Sequence, residues 1–242
     1  MTYCLGILLK DGLVLAADSR TNAGVDQIAL VSKLNIFDSQ KDRLICLMSA
    51  GNLATTQSVA ALLDQALGTG EPNDMYAADT MFDIARIVGD TLRAEIAREA
   101  KYVEPFGSPD GSFIVAGQIE GGQHRLFQIY SAGNFIEATR DTPFLQIGET
   151  KYGKPILDRI INQDVDLDSA CKCAILSMDA TIRSNLSVAP PIHLLRYKSG
   201  NLSTYNHRRI ADDDAYFLSI RKAYAQGLRR LFNRLPNPDW GK

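Results

Sequence analysis

Apolar residues fall into two kinds of run along this chain. Residues 3–9 (Tyr3-Cys4-Leu5-Gly6-Ile7-Leu8-Leu9) and 13–17 are short, nearly continuous apolar stretches separated by Lys10-Asp11-Gly12. An Asp-Gly step before a second such stretch predicts a β-hairpin, which would close with the Thr2 end beside Asp18. A second pair of strands is predicted over 33–37 and 43–48, on either side of the polar residues 38–42. Ser49-Ala50-Gly51 then reads as a strand-to-helix turn and Asn52 as a helix cap. Over 53–67 the spacing changes to that of a helix, with Leu53, Val59, Leu62, Leu63 and Leu67 in phase and Gly68 and Gly70 as the stop. After Glu71-Pro72-Asn73-Asp74, a second helix is predicted over 75–100, with Met81, Ile84, Ala85, Val88, Leu92 and Ile96 on one face. Strands return over 112–119, 125–130 and 135–138, separated by the glycine turns at 121–122 and 132–134. Helices follow over 152–162 and 167–185. Strands over 192–197 and 202–207 flank Ser199-Gly200-Asn201, and a helix over 212–232 precedes a tail broken by Pro236 and Pro238.

The order is strands, two helices, strands, two helices, strands, helix. Strands grouped in hairpins imply antiparallel sheets, and amphipathic helices must cover an apolar sheet face. The expected fold is therefore α+β, a four-layer sandwich with two sheets inside and helices outside. We expect a single domain over residues 1–242, with 233–242 as a flexible tail. Linkers, internal repeats and low-complexity segments do not stand out.

Composition narrows the function classes. A hydrophobic share of 45%, a charged share of 22% and a net charge of -2 give no reason to invoke nucleic acid or a membrane as partner. No apolar run approaches the roughly 18 residues a spanning helix needs. Cys4, Cys46, Cys171 and Cys173 sit in apolar or helical patterns without a secretory signal, so the expected setting is reducing and cytoplasmic. Cys171 and Cys173, two apart on a predicted helix, point to different sides and read as small apolar side chains rather than a metal pair. His124, His193 and His207 are scattered, and no metal cluster or cofactor motif is identified.

The start of the chain supplies the candidate chemistry. Met1 precedes a small residue, the kind of junction from which the initiator is normally removed, and we expect Thr2 to become the N-terminus. A terminal threonine has a hydroxyl nucleophile and an amine base on one residue. The amine, with an ordinary pKa near 8, suits general-base work close to neutral pH.

Together, Thr2, Asp18-Ser19-Arg20, Lys33 and Ser49-Ala50-Gly51 resemble the active-site set of a proteasome-type β subunit, an N-terminal nucleophile (Ntn) hydrolase. The opening Thr-Tyr-Cys-Leu-Gly is similar to that of the bacterial ancestral β-subunit branch often called Anbu. The likeness extends over nearly the whole chain, through Ser184-Asn185-Leu186-Ser187-Val188 and Pro190-Pro191. It implies that Thr2 attacks a scissile carbonyl, that Lys33 favours the alkoxide, that Asp18 fixes the lysine, and that the Gly51 N–H receives the oxyanion. Ser187 matches a serine that hydrogen-bonds around the N-terminal amine. Arg20 and Asn22 would flank the site; Asn22 stands where relatives often have a threonine that pairs with substrate backbone. Thr21, Val31, Ser49 and Leu53 match positions lining the pocket for the residue before the cut, a small and neutral lining that implies uncharged residues there.

Two positions depart from the pattern. Glu149 stands where such subunits have a serine, and Ser184 where they have an aspartate. A carboxylate at 149 would hold the amine protonated, anchor it at rest, bind a substrate amine, or serve only the electrostatics of the following helix start.

The reading that leads is a threonine peptidase or amide hydrolase without a cofactor. Alternatives are an Ntn aminohydrolase for a non-peptide or isopeptide-like amide, and a catalytically silent ring subunit. The resemblance also implies a homo-oligomeric closed, open or helical ring and neighbouring ATP-grasp and transglutaminase-like proteins, with no nucleic acid or membrane partner.

Overall fold

The computed structural model of the protein describes residues 2–22 and 28–240, with Asn22 and Ile28 described by backbone alone. The expected removal of Met1 and the last two positions of the tail lie outside these residues. Among the described residues the elements run in the order β1 (Tyr3–Leu9), β2 (Gly12–Ala17), β3 (Arg20–Asn22), β4 (Ile28–Leu30), β5 (Leu34–Phe37), β6 (Arg43–Gly51), α1 (Leu53–Ala66), α2 (Met81–Val103), β7 (Gly111–Ile119), β8 (Arg125–Ile129), β9 (Phe135–Glu137), β10 (Phe144–Gly148), α3 (Thr150–Ile160), α4 (Leu167–Ser184), β11 (Ile192–Lys198), β12 (Asn206–Ile210) and α5 (Ala215–Phe232).

Two five-stranded antiparallel sheets form the middle of the molecule, ordered β10-β1-β2-β11-β12 and β5-β6-β7-β8-β9, with β3-β4 as a separate short hairpin. Alternation along β1 explains the layering. Tyr3, Leu5, Ile7 and Leu9 face outward onto α3 and α4, in a core with Leu157, Ala170, Ala174 and Met178. Cys4 faces inward, into the apolar seam between the sheets with Leu44, Cys46, Met48, Ile114 and Leu126. The outer face of the second sheet is covered by α1 and α2, where Val59, Leu63, Ile84, Val88 and Leu92 meet Ile45, Leu47, Phe113 and Phe127. The α+β four-layer sandwich expected from the pattern is the observed fold. No described helix is long and apolar enough to cross a membrane.

Five elements differ from the pattern reading. The second helix begins at Met81, not at 75, because Thr80 caps it through Asp83 N. Upstream, the Asp74 carboxylate binds the N–H groups of Gly68, Gly70 and Tyr76 at 2.8–3.0 Å and folds 68–76 into a loop that buries Met75. The final strand is Asn206–Ile210 rather than 202–207; Leu202 and Tyr205 supply apolar contacts from a turn, and the ladder starts at Arg196 opposite Asn206. Strand β10 and the β3-β4 hairpin were not expected. Yet β10 is the edge partner of β1, with Tyr3 opposite Gly148. Among the cysteines, Cys4, Cys46 and Cys173 are buried, Cys171 is half-buried, and all four are free thiols.

Candidate active site

The first hairpin places Asp18 one residue beyond β2, beside the start of β1. There the carboxylate is fully buried and surrounded by donors. Its Oδ1 accepts from Tyr3 N at 2.9 Å and from Lys33 Nζ at 2.7 Å. Its Oδ2 accepts from Arg20 N at 3.1 Å and Ala189 N at 3.4 Å. A buried carboxylate has about four lone-pair sites, and four donors fill them. Burial raises the Asp18 carboxyl above its ordinary range, while the Lys33 ammonium and the N–H groups of Tyr3 and Ala189 oppose that rise. Lys33, 3% exposed, also donates to the Arg20 carbonyl at 2.6 Å. The ammonium is thus held by a charge and a dipole, within the same cluster that grips the backbone next to Thr2.

The segment after α4 is stitched onto this cluster. Ser19 Oγ donates to the Pro191 carbonyl at 2.6 Å, Ser19 N to the Ala189 carbonyl at 3.4 Å, and Arg20 Nη1 to the Leu186 carbonyl at 2.8 Å. Ser187 therefore sits in a loop tied to Arg20 on one side and to Asp18 on the other. It is half-buried, with its N–H on Asn185 Oδ1 at 2.9 Å, and the Pro190-Pro191 peptide beyond it is cis. Ser184 is exposed at the last turn of α4.

Thr2 itself is 8% exposed, and alternation from Tyr3 places its side chain on the inward, Cys4 face of β1. Its carbonyl accepts the Glu149 N–H at 2.7 Å. Gly148, at φ +82°, makes that approach possible: a Cβ there would lie 1.9 Å from the Thr2 oxygen. Glu149 is the N-cap residue of α3, but its side chain makes no capping bond. The carboxylate, largely buried, has Lys151 Nζ at 3.6 Å. Glu149 thus stands at the start of α3, where its charge meets the helix N-terminus without a side-chain capping bond.

Tyr3 points the other way and anchors the strand to the helix layer. Its hydroxyl lies 2.7 Å from Ser177 Oγ on α4 and receives a short hydrogen bond from Gln146 Nε2 on β10. Burial pushes the phenol up to about 12, against the opposing bonds from Ser177 and Gln146. Tyr3, Gln146, Gly148 and Ser177 were missed in the sequence; the available signal was that Tyr3 is the one hydroxyl-bearing side chain on the outward phase of an otherwise aliphatic strand.

The other candidates gather at this end of the sheets with different degrees of engagement. Ser49 is half-buried, donates its N–H to the Lys33 carbonyl at 3.2 Å and accepts the Cys4 thiol on its carbonyl at 3.6 Å. Val31 is half-buried, bound through its N–H to the Ser19 carbonyl at 2.9 Å, and Leu53, 37% exposed, opens α1 under the Asn52 cap. Thr21 uses its hydroxyl inside the β3-β4 hairpin, on the Ala29 carbonyl at 3.0 Å. The Asn22 side chain lies outside the described residues. Gly51 ends β6 at φ +112°, where a Cβ would meet the Asp110 oxygen at 2.4 Å, so the backbone turn by itself requires glycine. Among the described residues, no group of three or more His, Cys, Asp or Glu side chains could hold a metal ion.

A family model described as "Proteasome subunit" matches residues 2–191. The solved structure of Anbu (ancestral beta-subunit) from Yersinia bercovieri is 44% identical, with 98% of this chain and 99% of that chain covered at a TM-score of 0.92. The helical assembly of the Anbu complex from Pseudomonas aeruginosa is 46% identical, with 98% of both chains covered at a TM-score of 0.93. "Proteasome subunit beta 1" of Thermococcus sibiricus is 26% identical over 186 residues, which is 76% of this chain and 81% of that protein.

Proposed function

The chain belongs to the proteasome subunit family and is similar over nearly its full length to Anbu structures; from that premise we propose that it is an N-terminal threonine hydrolase of peptide or related amide bonds. The observation that supports this most is the convergence of Tyr3 N and Lys33 Nζ on one Asp18 oxygen, at 2.9 and 2.7 Å. A single carboxylate thereby holds the backbone next to Thr2 and the ammonium in register. In the proposed reaction the Thr2 hydroxyl attacks the carbonyl and its proton passes to the Thr2 amine. Lys33 favours the developing alkoxide, and the Gly51 N–H receives the oxyanion. The amine then returns the proton to the leaving nitrogen, the C–N bond breaks, and water hydrolyses the ester left on Thr2. Arg20, Thr21, Asn22, Val31, Ser49 and Leu53 would meet the substrate, with uncharged residues preferred before the cut.

In this reading the chain acts as one domain over 1–242, in the cytoplasm, in a self-association like the helical assembly of its Pseudomonas relative. The test is the intact mass of the purified protein with and without a threonine-directed epoxyketone. Loss of Met1 and one adduct per chain is the expected result. Retained Met1 with no adduct would remove the base and overturn the hydrolase reading.

A further inference from the structure

The Glu149 side chain is only 16% exposed, yet among the described residues its carboxylate accepts no hydrogen bond. The cation paired with it, Lys151 Nζ at 3.6 Å, belongs to a side chain that is 69% exposed. The start of α3 offers its dipole but no N–H to the carboxylate. A carboxylate withdrawn from water ordinarily collects donors, as Asp18 does with four.

The sheet register carries Glu149 to Thr2. Tyr3 stands opposite Gly148, and the Glu149 N–H on the Thr2 carbonyl at 2.7 Å extends that ladder by one step. Opposed residues joined by such bonds have Cα atoms about 5.5 Å apart. A glutamate carboxylate reaches nearly that far from its own Cα, and a terminal amine is one bond from its Cα. Removal of Met1 would create an ammonium there, a group of donors only, on a residue that is 8% exposed. Asp18 has no oxygen to spare for it, because Tyr3 N, Lys33 Nζ, Arg20 N and Ala189 N already occupy both. The other charged side chains at this end are Lys33 ahead of β5, Arg20 on β3, Lys151 on α3 and the exposed Asp110 ahead of β7. Lys33 is neutralised by Asp18, and residues 185–191 after α4 bring no charge.

We propose that Glu149 is the counter-charge of the Thr2 ammonium, holding the amine protonated at rest and setting the pH above which that amine serves as base. This rests on the hydrolase reading above and deepens it. The Thr2 hydroxyl can pass its proton only to an amine that has lost its own. An adjacent carboxylate favours the charged amine, so reaction at Thr2 begins at higher pH than it would beside a neutral residue. A glutamate that serves only the start of α3 would alter stability and leave that pH unchanged.

The test is the rate of epoxyketone addition to Thr2 against pH, in protein whose intact mass shows Met1 removed. Glutamine has the shape of glutamate and there is no hydrogen bond to lose, so Glu149→Gln should fold. Its labelling midpoint should lie about 1–2 pH units below that of the wild type, with the plateau rate within a few-fold. Glu149→Asp keeps the charge and should titrate nearer to the wild type than Glu149→Gln does. A midpoint shared by wild type and Glu149→Gln overturns the assignment while leaving Thr2 as nucleophile, and so does Glu149→Asp titrating like Glu149→Gln. A folded Glu149→Gln chain that no longer labels at any pH also overturns it, because a counter-charge moves the midpoint and spares the plateau. A wild-type chain that lacks Met1 and labels at no pH overturns the hydrolase reading itself.

Discussion

The two ends of the chain solve opposite problems. At the N-terminal end, three charged or polar groups are taken out of water and answered within the same chain: Asp18 by four donors, Lys33 by a carboxylate and a carbonyl, Tyr3 by Ser177 and Gln146. At the C-terminal end, Leu228, Leu231, Phe232 and Trp240 are left in water. Burying an ion unpaired costs several kcal/mol, so neither member of the Asp18–Lys33 pair can be removed cheaply. Exposing a few apolar side chains costs far less, so the second region can leave them in water. The contrast separates groups that are buried only with a partner from side chains that the fold leaves without one.

The largest expected effect comes from breaking the self-contained end. Lys33→Ala would leave the Asp18 carboxylate buried without its counter-charge, destabilising the fold by about 3–5 kcal/mol and slowing epoxyketone addition to Thr2 by about 10²–10³-fold. Because burial already raises the Asp18 carboxyl, the variant's folded state binds a proton more tightly than its unfolded chain. Its deficit should therefore be greatest at high pH and shrink as pH falls and Asp18 is neutralised. A deficit in urea unfolding that grows on acidification would show that the pair is not a buried ion pair. Tyr3→Phe should act more gently, at about 1–3 kcal/mol, by leaving Gln146 and Ser177 short of one partner behind Thr2. If the hydroxyl only stabilises, labelling of Thr2 at saturating probe is unchanged; if it positions β1, the limiting labelling rate falls as well.

These effects also mark what was legible beforehand. Thr2, Asp18 and Lys33 could be read because a hairpin signal, a polar residue at each strand end and one known constellation coincide within a short stretch. The layers could be read because β1, α1 and α4 keep their periodicities. Strand β10 and the true start of α2 could not. The first has five residues and is specified by pairing with β1, far away in sequence; the second is set by Thr80 as cap and by Asp74 collecting N–H groups from a loop. For the same reason the support behind Thr2 was invisible: Gln146, Gly148 and Ser177 lie more than 140 residues along the chain and meet Tyr3 and Thr2 only after three layers have assembled. The last helix was visible as a helix, but the exposure of Leu228, Leu231 and Phe232 among the described residues was not.

The smallest effect concerns the link between the two ends. Strand β11 begins just after Pro191, whose carbonyl holds Ser19, and β12 leads directly into the aspartates that open α5. Across this strand pair His193 Nδ1 and His207 Nε2 lie 3.0 Å apart with the rings stacked. One neutral ring can donate to the other, but two imidazolium ions cannot share that contact. Burial, with the charges of His207 and Arg209 adding to it, lowers His193 below its ordinary 6.5, and burial lowers His207 as well. Above that pH both rings are neutral in folded and unfolded chains and cost nothing. As pH falls through 6.5, the unfolded chain takes up protons that the folded pair resists, so stability is lost toward acid. Both rings are partly exposed and screened, so the melting temperature should drop by no more than about 2–4 °C between pH 7.5 and 5.5 from this source. His193→Gln should remove most of that slope. If instead the slope persists in the variant, the link between the site and α5 is insensitive to protonation, and the two ends are joined by backbone pairing alone.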